Sequence, residues 1–204
     1  MNTLCNDPYI YTIDNFLTDK ECKFIIDVSK DNLKLAGVSK LDDEKDLEPG
    51  KYRGRTNSSY WMRHDSYPET LGIAKKIAKK IGCNYKHFES YQVIHYNEQE
   101  EYKYHYDAYD KNETEKYKKF TDERGNRLRT VLVYLNDVEE GGGTGFDSLS
   151  EYDREVVVEP KMGKMVVFNN VNDDGSLNKK SRHAGLPVIK GEKWAFNLWL
   201  RERE

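Results

Sequence analysis

His105 and Asp107 are separated by one residue in the tyrosine-rich run Tyr102-Lys103-Tyr104-His105-Tyr106-Asp107. Tyrosine favours extended chain, and in a strand side chains two apart point the same way. One imidazole and one carboxylate can therefore reach a single metal ion together. Two donors hold such an ion weakly, so a third must come from elsewhere in the fold, and His183 can supply it. Two imidazoles and a carboxylate on one face of an octahedron leave positions open, an arrangement suited to ferrous iron that must also bind an oxidant and a second ligand. A His-x-Asp pair alone is common by chance, so the remaining histidines serve as a comparison. His95 falls in a strand-like run and is expected to face the core or a neighbouring strand. His64 and His87 fall in turn-like contexts and are expected at the surface.

Lys193 follows His183 by ten residues and precedes Trp194, Phe196, Leu198 and Trp199. That setting points to a strand lysine withheld from water rather than to one of the many surface lysines. A dicarboxylate that chelates a metal through one end needs a cation for the other, and a buried ammonium provides it through a charge-assisted hydrogen bond. Removing such a partner would leave a desolvated carboxylate unpaired, which costs about 3–5 kcal/mol.

The elements that must carry these groups are legible in outline. Thr18-Asp19-Lys20-Glu21 is a capping box, followed by Cys22, Ile25 and Ile26 at helical spacing. Ser66 and Glu69 suggest a second box with Pro68 in the first turn, and Leu71, Ala74, Ile77, Ala78 and Ile81 form a stripe that Gly82 ends. From Tyr85 onward the pattern becomes short Val-, Tyr-, Phe- and Trp-rich runs separated by glycine and asparagine. These predict strands over 90–96, 102–107, 128–135, 155–159, 164–168, 181–184 and 193–200. The implied class is mainly β with supporting helices (α+β), a β-sandwich or jelly roll with N-terminal helices packed on one sheet. At 204 residues one domain over 1–204 is expected, with helical support mainly in 1–84 and the β core mainly in 85–204. The polar stretches 40–55 and 108–126 read equally as lids over a site or as solvated loops.

Composition narrows the classes further. Charged residues make up 34% and apolar residues 37% of the chain, as in ordinary globular proteins. No apolar run is long enough to span a membrane. Three cysteines at unrelated spacings argue against a disulfide framework. A net charge of −3 gives no general attraction for nucleic acid. The start of the chain lacks the basic-then-apolar pattern of a secretory signal, which favours a cytoplasmic or viral setting.

Several of these segments together resemble the iron(II)- and 2-oxoglutarate-dependent prolyl 4-hydroxylases, from about Arg55 to Arg201. The segment Arg55-Thr56-Asn57-Ser58-Ser59 resembles the start of the matched region. The stretch from Tyr96-Asn97-Glu98 to His105-Tyr106-Asp107 resembles the family's approach to its first two metal ligands. Arg127 through Thr130 to Tyr134-Leu135-Asn136-Asp137 and Gly141-Gly142 resembles its central strand and turn, and the run from Ser181-Arg182-His183-Ala184-Gly185 to Lys193-Trp194 its C-terminal signature. The resemblance implies a double-stranded β-helix in which His105, Asp107 and His183 are the catalytic metal ligands. It implies that Lys193 binds the distal carboxylate of 2-oxoglutarate, with Tyr96 and Thr144 beside it. Arg127 and Trp199 fall where the family contacts the peptide or orders the pocket. The chain departs from the family pattern in having Gly143 directly before Thr144 where a glutamate is usual, an acidic Gln99-Glu100-Glu101, and Arg182 beside the last ligand.

The implied activity is hydroxylation of a prolyl residue at C4 in a peptide or protein, with Fe(II), 2-oxoglutarate and O2, ascorbate as reductant, and succinate and CO2 as products. No nucleic-acid or membrane partner is implied. Two other readings stay open: the same oxygenase chemistry on a small molecule, a free amino acid or another protein side chain, and a peptide-binding module without catalysis. Relatives acting on nucleobases use arginine where this chain has Lys193, which disfavours them.

Overall fold

The strand Arg127–Tyr134 shows how this chain builds two cores at once. In the computed structural model, which describes residues 1–38, 54–147, 149 and 155–204, Val131 and Val133 face one apolar cluster while Leu132 and Tyr134 face another. The two-residue period of a strand enforces that division.

The elements run β1 (Asn2–Asn6), β2 (Tyr9–Ile13), α1 (Asp19–Ser29), β3 (Lys34–Leu35), β4 (Ser58–Met62), α2 (Pro68–Ile81), β5 (Tyr91–Tyr96), β6 (Tyr102–His105), α3 (Thr114–Thr121), β7 (Arg127–Tyr134), β8 (Glu140–Gly141), β9 (Thr144–Phe146), β10 (Val156–Val158), β11 (Met165–Asn169), β12 (His183–Gly185), β13 (Val188–Lys190) and β14 (Lys193–Arg201). The large sheet has the order β1-β2-β11-β7-β14-β5-β4-β3, and the smaller one β10-β9-β12-β6; β13 and β8 form a separate ribbon. All named strand pairs are antiparallel, and the chain crosses repeatedly between the two larger sheets. This is the double-stranded β-helix, or jelly roll.

Helices α1 and α2 cover one face of the large sheet. Cys22 and Ile25 from α1, and Ile73, Ala74, Ile77 and Ile81 from α2, pack on Tyr91, Val93, Val131, Val133, Phe196 and Leu198. Each large aliphatic side chain buried there contributes about 1.5–3 kcal/mol. The opposite face of the sheet, carrying Ile94, Tyr96, Leu132, Tyr134 and Ala195, meets Phe146 and Val158 of the small sheet. Ile94, Tyr96 and Leu132 of this face also line a cleft.

Local chemistry explains the helix ends. The Thr18 box forms as expected: Thr18 N–H donates to Glu21 Oε2 at 2.8 Å and Glu21 N–H to Thr18 Oγ1 at 3.3 Å. Gly82 stops α2 at φ 73°, a left-handed conformation that glycine adopts without penalty. The expected Ser66–Glu69 box does not form. Helix α2 starts one residue later, and Thr70 Oγ1 accepts from Tyr67 N–H instead.

Other differences concern the strands. Residues 1–84, read as mainly helical, also contribute β1 to β4 to the large sheet; their short, mixed-polarity sequences carry little periodicity. The predicted strand 102–107 ends at His105. The stretch 108–126 is not simply a loop, because it contains α3. Most of the other proposed lid, 40–55, lies outside the described residues. No helix among the described residues is long and apolar enough to cross a membrane.

Candidate active site

His105 closes β6 and His183 opens β12, and these strands are neighbours with His183 directly opposite His105. Cross-strand pairing brings the two rings to 4.4 Å between centroids. Asp107 lies two residues beyond the end of β6, in a bend rather than on the strand. The bend still turns its carboxylate into the same space. Oδ1 is 3.6 Å from His105 Nε2 and Oδ2 is 3.4 Å from His183 Nε2. One donor atom from each residue lies within 4.8 Å of the others, and no other such group occurs among the described residues.

Both imidazoles are oriented by the backbone. His105 Nδ1 lies 2.8 Å from Lys103 O and His183 Nδ1 lies 2.9 Å from Ser181 O. A carbonyl can only accept, so Nδ1 carries the proton and each Nε2 turns an open lone pair toward the other two groups. Burial lowers the His183 imidazole to about 4, so it is neutral near pH 7. Burial by itself would raise Asp107, but His183, His105 and Arg127 hold it well below the usual carboxylate range. The trio therefore presents two imidazole nitrogens and one carboxylate, a donor set that fits ferrous iron. Tyr102 stacks on His105 at 3.6 Å, and the Arg55 guanidinium lies over the Tyr102 ring at 4.5 Å.

These groups line a cleft of about 590 Å³, together with Tyr96, Thr144 and Lys193. Lys193, first residue of β14, is 1% exposed. Its side chain points to the cleft because Lys193, Asn197 and Trp199 share one face of the strand, while Trp194, Phe196 and Leu198 take the other. Its Nζ lies 4.9 Å from the Tyr96 ring and 5.4 Å from that of Tyr134, and it forms no ion pair or hydrogen bond among the described residues. Burial alone moves it down to about 7. Tyr96 is likewise pushed up to about 12 by burial. Thr144 shares a 2.6 Å hydrogen bond with the Tyr134 hydroxyl, which also reaches Val158 O at 3.0 Å. The glycine-rich turn before Thr144 is tied to the neighbouring segment: Gly142 N–H donates to Pro187 O and Leu186 N–H to Gly143 O.

Arg127 and Trp199 also line the cleft. The guanidinium lies 3.8 Å over the Trp199 ring and makes a two-point pair with Glu89, at 2.6 and 2.9 Å. Glu89 also accepts from Arg201 Nε at 2.6 Å. Arg127 is thus committed to the wall, and its remaining donor reaches Asp107 O at 3.4 Å.

The comparison histidines stay outside the trio. His95 packs on Trp194 at 4.3 Å and meets Glu192 at 2.7 Å, a neighbouring-strand contact of the kind expected. His64 and His87 lie in single turns of 3-10 helix, and both are half-buried rather than at the surface, held by Glu89 O and Arg201 O. Sequence reasoning missed Arg55, Tyr102, Trp61 and Asn197 as lining residues. Trp61, half exposed at the cleft mouth, packs on Trp199 at 5.7 Å. Its alternation with Met62 in a short strand was the one available signal.

Residues 91–201 match the family model of the 2OG-Fe(II) oxygenase superfamily. The chain is 34% identical to probable prolyl 4-hydroxylase 10 of Arabidopsis thaliana, over 97% of this chain and 70% of that protein. It is 32% identical to human prolyl 4-hydroxylase subunit alpha-1, over 96% of this chain but only 35% of that one. Among solved structures, the viral collagen prolyl hydroxylase of Paramecium Bursaria Chlorella virus-1, in its 2OG complex, superposes with a TM-score of 0.71 at 29% identity, covering 97% of this chain and 98% of that one. The jelly roll, the clustered His-Asp-His trio and these likenesses lead to one conclusion: the chain belongs to the 2-oxoglutarate- and iron(II)-dependent oxygenase superfamily, in its prolyl 4-hydroxylase family.

Proposed function

We propose that this protein hydroxylates prolyl residues of a peptide or protein at C4, consuming 2-oxoglutarate and O2 and releasing succinate and CO2. The observation that carries the reading is the coexistence, in one cleft, of the His105–Asp107–His183 donor set and a buried Lys193 ammonium that meets no anion among the described residues. An unpaired buried cation is costly in an empty protein and useful in one that binds a dicarboxylate.

His105 Nε2, His183 Nε2 and the Asp107 carboxylate would hold the iron, which when bound supplies the oxygen-activating redox chemistry that no side chain can provide. Lys193 would take the distal carboxylate of 2-oxoglutarate. Tyr134 can donate to Val158 O or to Thr144; in the second arrangement the Thr144 hydrogen is free for the same carboxylate, and Tyr96 would lie beside it. Ile94 and Leu132 line the cleft and limit water. Arg127 and Trp199 would set the wall against which the substrate lies, and Trp61 offers an aromatic face to a proline ring at the mouth. Ascorbate is the proposed reductant.

The test is incubation of the protein with Fe(II), 2-oxoglutarate, ascorbate and proline-rich peptides, followed by succinate assay and position-resolved mass spectrometry. One oxygen gained on proline, with matching succinate, is expected. Succinate accompanied by oxidation of other residues would replace the substrate, and peptide capture without succinate would replace the enzyme with a binding module.

A further inference from the structure

Asp107 is held by a buried polar chain that begins on the large sheet. Thr130 of β7 and Asn170, just beyond β11, are 1% and 0% exposed. Thr130 Oγ1 lies 2.6 Å from Asp107 Oδ2, and Asn170 Nδ2 donates to Thr130 Oγ1 at 2.9 Å. The hydroxyl has one hydrogen, and its alternative acceptor, Asn170 Oδ1, is more distant at 3.3 Å. A charged oxygen at 2.6 Å takes that hydrogen in preference to a neutral one at 3.3 Å. The direction of donation is therefore fixed: Asn170 to Thr130, and Thr130 to Asp107 Oδ2. Among the described residues Oδ1 accepts no hydrogen bond.

The two oxygens of Asp107 are thus unequal. Asn170 is itself pinned, its N–H donating to Leu128 O and its carbonyl accepting from Asn178 N–H. Arg127 also donates to the Asp107 backbone carbonyl, at 3.4 Å. The carboxylate cannot rotate without breaking a buried charge-assisted bond.

We propose that Thr130, backed by Asn170, is a positioning residue that engages Asp107 Oδ2 and leaves Oδ1 as the single oxygen offered to the metal. A carboxylate restricted to one-point ligation occupies one coordination position, so the positions needed by the co-substrate and the oxidant stay open. The inference rests on the metal reading above and concerns groups that would not themselves touch the ion.

The test uses Co(II) as probe, read by equilibrium titration and by visible absorption, in the parent protein and in Thr130→Val, Thr130→Ala, Thr130→Ser, Asn170→Ala and Asp107→Ala. Near-ultraviolet circular dichroism establishes folding of each. Thr130→Val and the smaller Thr130→Ala should weaken Co(II) binding about 10–100-fold and shift the absorption bands. Thr130→Ser, which keeps the donor, should restore both, and Asn170→Ala should give an intermediate loss. Parent-like affinity and spectrum in a folded Thr130→Val or Thr130→Ala, while Asp107→Ala abolishes binding, would overturn the positioning role alone. Co(II) binding that survives Asp107→Ala would overturn the metal reading and this inference with it.

Discussion

Lys193 Nζ lies 4.9 Å from the centre of the Tyr96 ring and meets no carboxylate among the described residues. A buried cation without a counter-charge weakens the ligand-free protein. Replacing an uncompensated buried charge by an apolar side chain of similar volume removes its desolvation cost. Lys193→Met should therefore raise the urea midpoint of the ligand-free protein while raising the 2-oxoglutarate KM at least tenfold. An unchanged midpoint and KM in the same variant would contradict both halves.

Burial lowers Lys193 to about 7 from its ordinary value of 10.5. Between those two values the folded, empty protein binds fewer protons than the unfolded chain, so its stability rises with pH across that interval and is lowest below about 7. A dicarboxylate needs the protonated form, so 2-oxoglutarate affinity should fall above about pH 7, approaching tenfold per pH unit. Calorimetric titration from pH 6 to 9 measures this. Lys193→Arg, charged throughout, should flatten the profile; a flat profile in the parent protein would contradict the prediction.

His183→Ala and Asp107→Ala should each abolish succinate formation and metal binding, with the far-ultraviolet circular dichroism spectrum unchanged. Turnover persisting in either variant would remove the proposed activity.

Glu89 anchors two guanidiniums, those of Arg127 and Arg201. Glu89→Gln keeps the shape and removes the charge. Leaving buried cations short of their anion costs about 3–5 kcal/mol, and Trp199 would lose the flat partner above it. Urea unfolding should show the loss, and the peptide KM should rise more than the 2-oxoglutarate KM. Equal effects on the two KM values would mean that the wall does not act on the peptide side.

How much of this was written in the residues themselves differs from element to element. The trio and Lys193 could be picked out because their chemistry is unusual for their setting. The strands 193–200 and 128–135 announced themselves through β-branched and aromatic alternation, and the structure places them within one residue of those bounds. Strands β1 to β4, at the two ends of the large sheet, did not, because β1, β3 and β4 are short and of mixed burial, with no clean period. Asp107 is brought beside the two imidazoles by a bend rather than by strand alternation, so the geometry replaces the argument that singled it out. Arg55 and Trp61 were not legible as lining residues, because only tertiary pairing brings them beside Tyr102 and Trp199. Thr130 looked like one more β-branched strand residue.

Strand β14 belongs to two interiors at once, one dry and supporting, the other reactive. Shifting it by a single position would exchange an ammonium for an indole and turn Asn197 and Trp199 away from the cleft. The count of residues along this strand is therefore as restrictive as their identity. Length variation among descendants of this chain has to fall in the connections between strands, where the outline of the mouth can change while the ruler beneath it stays fixed.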